Sequence, residues 1–298
     1  PPQFDRSVFR GLPYQCHPLL IYFTYLCRYM ESGRLDKDMI SEPRLWRLAL
    51  GLGESTIDVV LTCTVQDNSL IWRTIPLDLS APSRLRAIED AVYDNPLLLC
   101  DFGRVDVVAD IPDATVIPGG IESADCIEAI AESSFDGAVA PSETFLCALP
   151  QLDAAIVMRM DAAEAGFLRR TFYNVRFHHH LEPLCRHFYG HSQLGNGGKM
   201  FAHLRAGAID IMAFGSGQLR MANSFRYSDT ADAVYYILAS RQMLGMDMSA
   251  ELILSGDTAA RAAVTPILRE YIGSVMPAVF PSALMRCGHD AIHAPLDL

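Results

Sequence analysis

The sequence predicts an α/β protein in which one unit, three antiparallel strands followed by helix, strand and helix, is written twice. The first observation is a run of half-buried alternation at residues 45–52, 56–65 and 70–78, broken by the Gly-punctuated stretch Gly51-Leu52-Gly53-Glu54-Ser55 and by Gln66-Asp67-Asn68-Ser69. The second is the return of that alternation at 199–205, 208–215 and 218–227, with turns at Ala206-Gly207 and Gly215-Ser216-Gly217. The third is a matched pair of segments, Ile57-Asp58-Val59-Val60 and Ile209-Asp210-Ile211-Met212, at equivalent places 152 residues apart.

The remaining elements keep the same order in both copies. A helix is expected over about 83–94, with Ser80 or Ser83 as its cap and Leu85, Ile88, Ala91 and Val92 on one face. Its counterpart over about 230–244 is capped by Ser228-Asp229 and turns Ala233, Tyr236 and Ile237 inward. Single strands follow at 105–110 and 250–255, then amphipathic helices at about 122–133 and 258–272. A strand that rejoins its sheet after a helix does so by a crossover, so each copy should form one sheet covered by helices. Two like domains facing one another are the expected architecture.

Composition narrows the function classes. Half of the 298 residues are hydrophobic, which supplies a packed core, while 24 Lys and Arg against 35 Asp and Glu leave a formal charge of -11. An acidic chain repels a phosphate backbone, so no nucleic-acid partner is expected. No apolar stretch reaches the roughly 18 residues a membrane helix needs. The eight cysteines stand no closer than eleven residues apart, which leaves neither a CxxC pair nor a zinc knuckle. Most lie in apolar runs and are expected as small buried hydrophobes of a reducing, cytoplasmic protein. The apolar stretch 18–27 has basic residues upstream but Arg28-Tyr29-Met30-Glu31 in place of a cleavage site. Residues 1–43 are therefore expected to be a poorly ordered extension, with Met30 as a natural start.

The duplicated β-β-β-α-β-α order resembles the actin-like ATPase fold, whose halves each carry a ribonuclease-H-like sheet. The closer resemblance is to an uncharacterised bacterial family, a domain of unknown function with that fold. It rests on residues 45–65, on Asp113-Ala114-Thr115-Val116-Ile117-Pro118 and on the block 208–257, including Gly217-Gln218-Leu219-Arg220-Met221 and Leu252-Ile253-Leu254-Ser255-Gly256-Asp257. The resemblance covers about 44–285 and implies two actin-like subdomains, 44–195 and 196–298. It also implies a cleft in which two hairpin turns cradle the phosphates of ATP and strand-end acids hold Mg²⁺. Here the first turn, Leu50 to Thr56, offers glycines and hydroxyls with Glu54 inside the turn, but no strand-end Asp. At the second, Leu204 or Arg205 stands where the acid belongs, and neither ligates a cation.

The other constellations yield to simpler accounts. In His178-His179-His180 only the first and third share a face on a strand, and a surface or cleft-edge tract is expected. His187 and His191 have helical metal spacing near Cys185, yet Gly190 is read as ending that helix. Gly195-Asn196-Gly197-Gly198 is read as the hinge, Asp101-Phe102-Gly103 as a turn and Asp257 as a helix cap. Asp58 and Asp210 match across the copies and are expected to face solvent or pair within their sheets. No catalytic residue, metal site or cofactor is assigned, and ATP binding is not expected. The expected function is a non-enzymatic binding or scaffold protein with an unidentified protein partner, on a degenerate actin-like body. The alternative is a nucleotide-dependent ATPase or phosphotransferase whose acids are drawn from Glu54, Asp58, Asp210 or Asp257.

Overall fold

In the computed structural model the described residues are 35–65, 69–121, 123–135, 141–194, 197–247, 249–279, 287, 290–292, 294 and 295. Leucines at every second position make β1 (Trp46–Leu52) a one-sided strand, with Leu48, Leu50 and Leu52 buried and Arg47, Ala49 and Gly51 on the other face. It pairs antiparallel with β2 (Thr56–Cys63), which pairs with β3 (Ile71–Pro76). Ser83 caps α1 (Arg84–Tyr93) by accepting from the Arg86 amide, so of the two hydroxyls foreseen the nearer one serves. The chain returns through β4 (Arg104–Ala109), parallel to β1.

Next comes a departure from the repeat. β5 (Ala114–Pro118), α2 (Ala124–Ser134), β6 (Ser142–Leu149) and β7 (Ala154–Asp161) form a separate antiparallel sheet in the order β5-β7-β6, with its own small core around Ile117, Ala131, Ala155 and Val157. Only then does α3 (Ala162–Thr171) carry the chain to β8 (Arg176–His179), parallel to β4. The helix foreseen at 122–133 thus exists but belongs to this insertion. The crossover helix of the first unit is α3, because it alone connects two parallel neighbours of the sheet.

After α4 (Leu181–Ser192), the second unit runs without interruption: β9 (Lys199–Arg205), β10 (Ala208–Gly215), β11 (Gln218–Arg226), α5 (Thr230–Met243), β12 (Glu251–Gly256), α6 (Thr258–Tyr271) and β13 (Val275–Pro277). Ser216 and Gly217 both take positive φ, 52° and 74°, which fits the twist of the β10–β11 hairpin they join. The two five-stranded sheets have identical topology, β3-β2-β1-β4-β8 and β11-β10-β9-β12-β13. Each packs one face against helices over its own core, centred on Leu48, Leu50, Ile57 and Ile88 in the first and on Leu204, Ile209, Ile237 and Leu268 in the second. Each such fully buried aliphatic side chain contributes about 1.5–3 kcal/mol.

A third core joins the halves. On α4, Leu184, Cys185 and Phe188 pack against Phe201, Met212 and Phe214 of the second sheet and against Cys147, Ile156 and Met158 of the insertion. Within it, Phe188 and Phe201 stack at 4.5 Å between ring centroids. Leu35 and Ile40, assigned by sequence to the extension, are buried in the first core, where the Leu35 amide donates to Asn95 Oδ1. The apolar stretch 18–27 and the hinge residues Gly195 and Asn196 lie outside the described residues, whereas Gly198 leads directly into β9. No helix among the described residues is long and apolar enough to cross a membrane.

Candidate functional site

The open ends of the two sheets frame a cleft of about 940 Å³. Its first wall is the β1–β2 turn, from Gly51 to Thr56; its second is the end of β9 with Ala206 and Ala208. Asp110, His180, His203, Ser224, Ser255 and Asp257 also face it. Asp110 and Asp257 are equivalent: each follows the fourth strand of its unit and donates its amide to the leucine of the first strand, Leu52 and Leu204 respectively. Gly256, at φ 86°, has no room for a side chain, since an added Cβ would fall 2.0 Å from the Leu204 carbonyl oxygen.

Strand alternation decides which residue of Leu204-Arg205 enters the cleft. Leu204 joins the core under the helices, so Arg205 points the other way. Across the two-residue turn, Asp210 lies diagonal to it on the same face. Arg205 Nε donates to Asp210 Oδ2 at 2.7 Å and Nη2 to Oδ1 at 3.0 Å, a fork on a carboxylate that has no solvent exposure at all. The guanidinium also donates through Nη1 to Asp110 of the first unit, and through Nη2 to Ser224 Oγ at 3.3 Å. His180, which begins α4 rather than continuing β8, places Nε2 3.0 Å from Asp210 Oδ1. Asp210 Oδ1 therefore accepts from two donors, which is why His180 Nε2 and Arg205 Nη2 tolerate a 3.2 Å approach.

The electrostatics follow. Burial alone would raise the Asp210 carboxyl, but the hydrogen bonds and charges of His180 and Arg205 outweigh it and hold the group well below the usual carboxylate range. Burial likewise opposes the charge on Arg205, and the two aspartates more than restore it. Of the two placements expected for Asp210, solvent or a pair within its sheet, the structure has the second, fully buried. Asp58, its equivalent in the first unit, accepts from Thr74 Oγ1 at 2.5 Å and from Trp72 Nε1 at 3.2 Å. Glu54 pairs with Arg226 at 2.9 Å, and Asp257 caps α6 through the Ala260 amide at 2.7 Å.

These residues do not fit a magnesium nucleotide. Every carboxylate that lines the described cleft already has a protein donor, and the two that converge, Asp110 and Asp210, converge on a guanidinium. The reason differs in part from the one the sequence offers. Arg205 does face inward, but its charge is matched by two carboxylates; it keeps a metal out by holding the ligands a metal would need, more than by repelling it.

Of the surface or cleft-edge placement expected for the histidine tract, the cleft edge holds: His179 and His180 are among the lining residues, both buried. His178 lies between Asp106 Oδ1 at 3.1 Å and Glu182 Oε2 at 2.8 Å, and those two hydrogen bonds raise its pKa to about 9. His179 is buried against the Ile111 carbonyl, and burial with neighbouring His180 lowers it to about 3. Three consecutive histidines thus serve three different partners. His187 and His191 both lie on α4, which runs past Gly190 to Ser192, and their rings stand 5.1 Å apart. No group of three metal-ligating side chains forms among the described residues. The six described cysteines are free thiols, of which Cys147 and Cys185 are buried, Cys126 is exposed and the other three are intermediate, fewer buried than the sequence suggests. Asp101-Phe102-Gly103 is the turn into β4.

Sequence reasoning named Glu54, Asp58, Arg205, Asp210 and Asp257; the structure places Glu54, Asp58, Arg205 and Asp257 on one cleft and buries Asp210 beneath Arg205. It missed Asp110 and His203, the latter of which places Nδ1 3.0 Å from Ser255 Oγ, and it named His180 without its partner Asp210. Aligning the copies by element order would have found Asp110 opposite Asp257.

Two sheets of one topology facing a cleft define an actin-like architecture. Residues 40–275 match the family described as protein of unknown function (DUF3822), and the chain belongs to that family. The chain is also similar to a protein of Bacteroides thetaiotaomicron VPI-5482 with an actin-like ATPase fold and unknown function. The two share 23% identity and a TM-score of 0.74, over 89% of this chain and 100% of that one. Weaker likenesses include a PilM-PilN type IV pilus biogenesis complex, at 13% identity and TM-score 0.47 over 85% of this chain and 93% of that one. Another is the ethanolamine utilization protein EutJ of Carboxydothermus hydrogenoformans, at 11% and 0.38 over 85% and 90%. No curated protein matches.

Proposed function

We propose that this protein is a non-enzymatic binding or scaffold protein that keeps the actin-like body, subdomains 44–195 and 196–298, and has given up its metal-dependent chemistry. One observation carries the reading: the Arg205 guanidinium, forked onto buried Asp210 and reaching Asp110, takes up the carboxylates that a divalent cation would require. A scaffold of this kind works through a protein partner, and cysteines that are free thiols among the described residues agree with a reducing, cytoplasmic setting. Fold analogy alone gives no activity, so the reading rests on the site. Isothermal titration with ATP and MgCl₂, followed by a phosphate-release assay, tests it. The expected result is no saturable heat at micromolar protein and no release above buffer. Binding with turnover that is lost in Asp110→Ala would overturn it.

A further inference from the structure

The two halves meet in two chemically different places. Behind the cleft they share the apolar core in which α4 is sandwiched, with Phe188 stacked on Phe201. At the cleft mouth the ion pairs that join the two sheets include Asp110 with Arg205 and Glu54 with Arg226, while His180, which begins α4, meets Asp210, and Asp290, beyond β13, meets Arg73 of β3. Apolar burial is non-directional and survives small rotations, whereas a hydrogen-bonded ion pair is lost within about an ångström of misplacement. Rotation about the α4 core would therefore leave one contact set intact and break the other.

We propose that Asp110–Arg205 and Glu54–Arg226 form a latch that fastens the cleft shut from within, so that the protein opens by breaking these two pairs about the α4 hinge. Arg205 is suited to the part because Asp210 pre-orients it. With Nε and Nη2 fixed on a fully buried carboxylate, Nη1 is left to reach across to Asp110 without further ordering. Asp110 is itself held at the mouth by its amide, which donates to Leu52. The outer pair, Glu54–Arg226, lies on the tip of the β1–β2 turn and is mostly exposed, so it is the salt-sensitive member. The latch does not depend on whether the cleft turns anything over. Its test uses no nucleotide and can fail while the reading above stands.

The readout is His203, which lines the cleft yet is only 5% exposed in the closed form. Its reaction with diethylpyrocarbonate, followed by mass spectrometry on the full chain, reports opening, and small-angle scattering reports the accompanying expansion. In Asp110→Asn with Glu54→Arg, the His203 rate should rise about tenfold or more, as loss of a charge-assisted hydrogen bond implies. The radius of gyration should rise with it. Glu54→Arg alone changes a residue on an exposed turn and leaves folding untouched; it should give a smaller increase that the charge-swapped pair Glu54→Arg with Arg226→Glu reverses. Unchanged His203 reactivity and scattering in Asp110→Asn with Glu54→Arg would overturn the latch. So would an increase that the charge swap fails to reverse.

Discussion

Replacing Arg205 by methionine keeps most of the side chain's volume and removes the charge on which Asp210 depends. The carboxylate then remains fully buried with His180 as its remaining described hydrogen-bond partner. Two unit charges at about 4 Å interact by about 4 kcal/mol at an effective dielectric of 20. Breaking a buried pair by removing one member typically costs about 3–5 kcal/mol. Because His180 still donates, the low end applies, and a loss of about 3 kcal/mol is expected in urea unfolding at pH 7 followed by circular dichroism. Removing both charges, in Arg205→Met with Asp210→Leu, should recover most of that loss, since an apolar pair has no desolvation to offset. Acidity gives a second signature. The Asp210 carboxyl is depressed in the folded protein, so its stabilising contribution is present above the ordinary value of 3.8 and lost as the pH falls further. The gap between wild type and Arg205→Met should therefore narrow in acid. A single variant as stable as wild type, or a double variant no better than the single, would refute this account of the cleft floor.

Three further outcomes follow from the geometry. His178 is raised to about 9, so its ion pairs stabilise fully below the ordinary value of 6.5 and fade as the pH rises through 9. Thermal melts of His178→Gln should show a deficit of about 1–3 kcal/mol at pH 6 that has largely closed by about pH 10. Gly256→Ala should be far more damaging than Gly120→Ala, by about 2 kcal/mol or more, because both need positive φ but only Gly256 has a backbone oxygen in the way; equal melting shifts would contradict this. Burial raises the Cys147 and Cys185 thiols to about 12, so a thiol reagent at pH 7.5 should label exposed Cys126 rapidly and these two only on unfolding.

The sheet strands were legible because their code is local. Alternation with Gly-containing turns places β1, β2, β9, β10 and β11 within a residue or two of where they fold, since a half-buried strand must repeat every second residue. The inserted sheet was not legible as an insertion. An amphipathic helix at 124–134 carries the same periodicity whether it crosses over the first sheet or covers another one, and which it does depends on pairings such as Phe145 with Met158. The cleft divides in the same way. Arg205 and Asp210 flank a two-residue hairpin turn, so their diagonal meeting is implied once the hairpin is accepted. Asp110 lies 95 positions from Arg205 and His180 lies 30 from Asp210, each on a different element, and no local pattern announces them.

The asymmetry of the two copies explains why equivalent aspartates end in different states. Asp58 and Asp210 occupy the same place in the second strand of their hairpins, Asp58 opposite Gly51 and Asp210 opposite His203. In the first unit the strand then ends in Leu52-Gly53, which sends no side-chain donor back, so Asp58 takes its donors from β3 and stays at the cleft wall. In the second it ends in Leu204-Arg205, and the arginine draws Asp210 into a buried fork. One wall of the cleft is consequently an open turn of glycines and hydroxyls, and the other is a closed, internally neutralised network. A phosphate approaching such a cleft would meet backbone on one side and, on the other, a guanidinium already held by two aspartates. Freeing that guanidinium would mean leaving Asp210 buried and under-paired, at about the 3 kcal/mol worked out above. Arginine where the other copy has glycine is thus the difference that places a buried ion network on one wall of the cleft and leaves an open turn on the other.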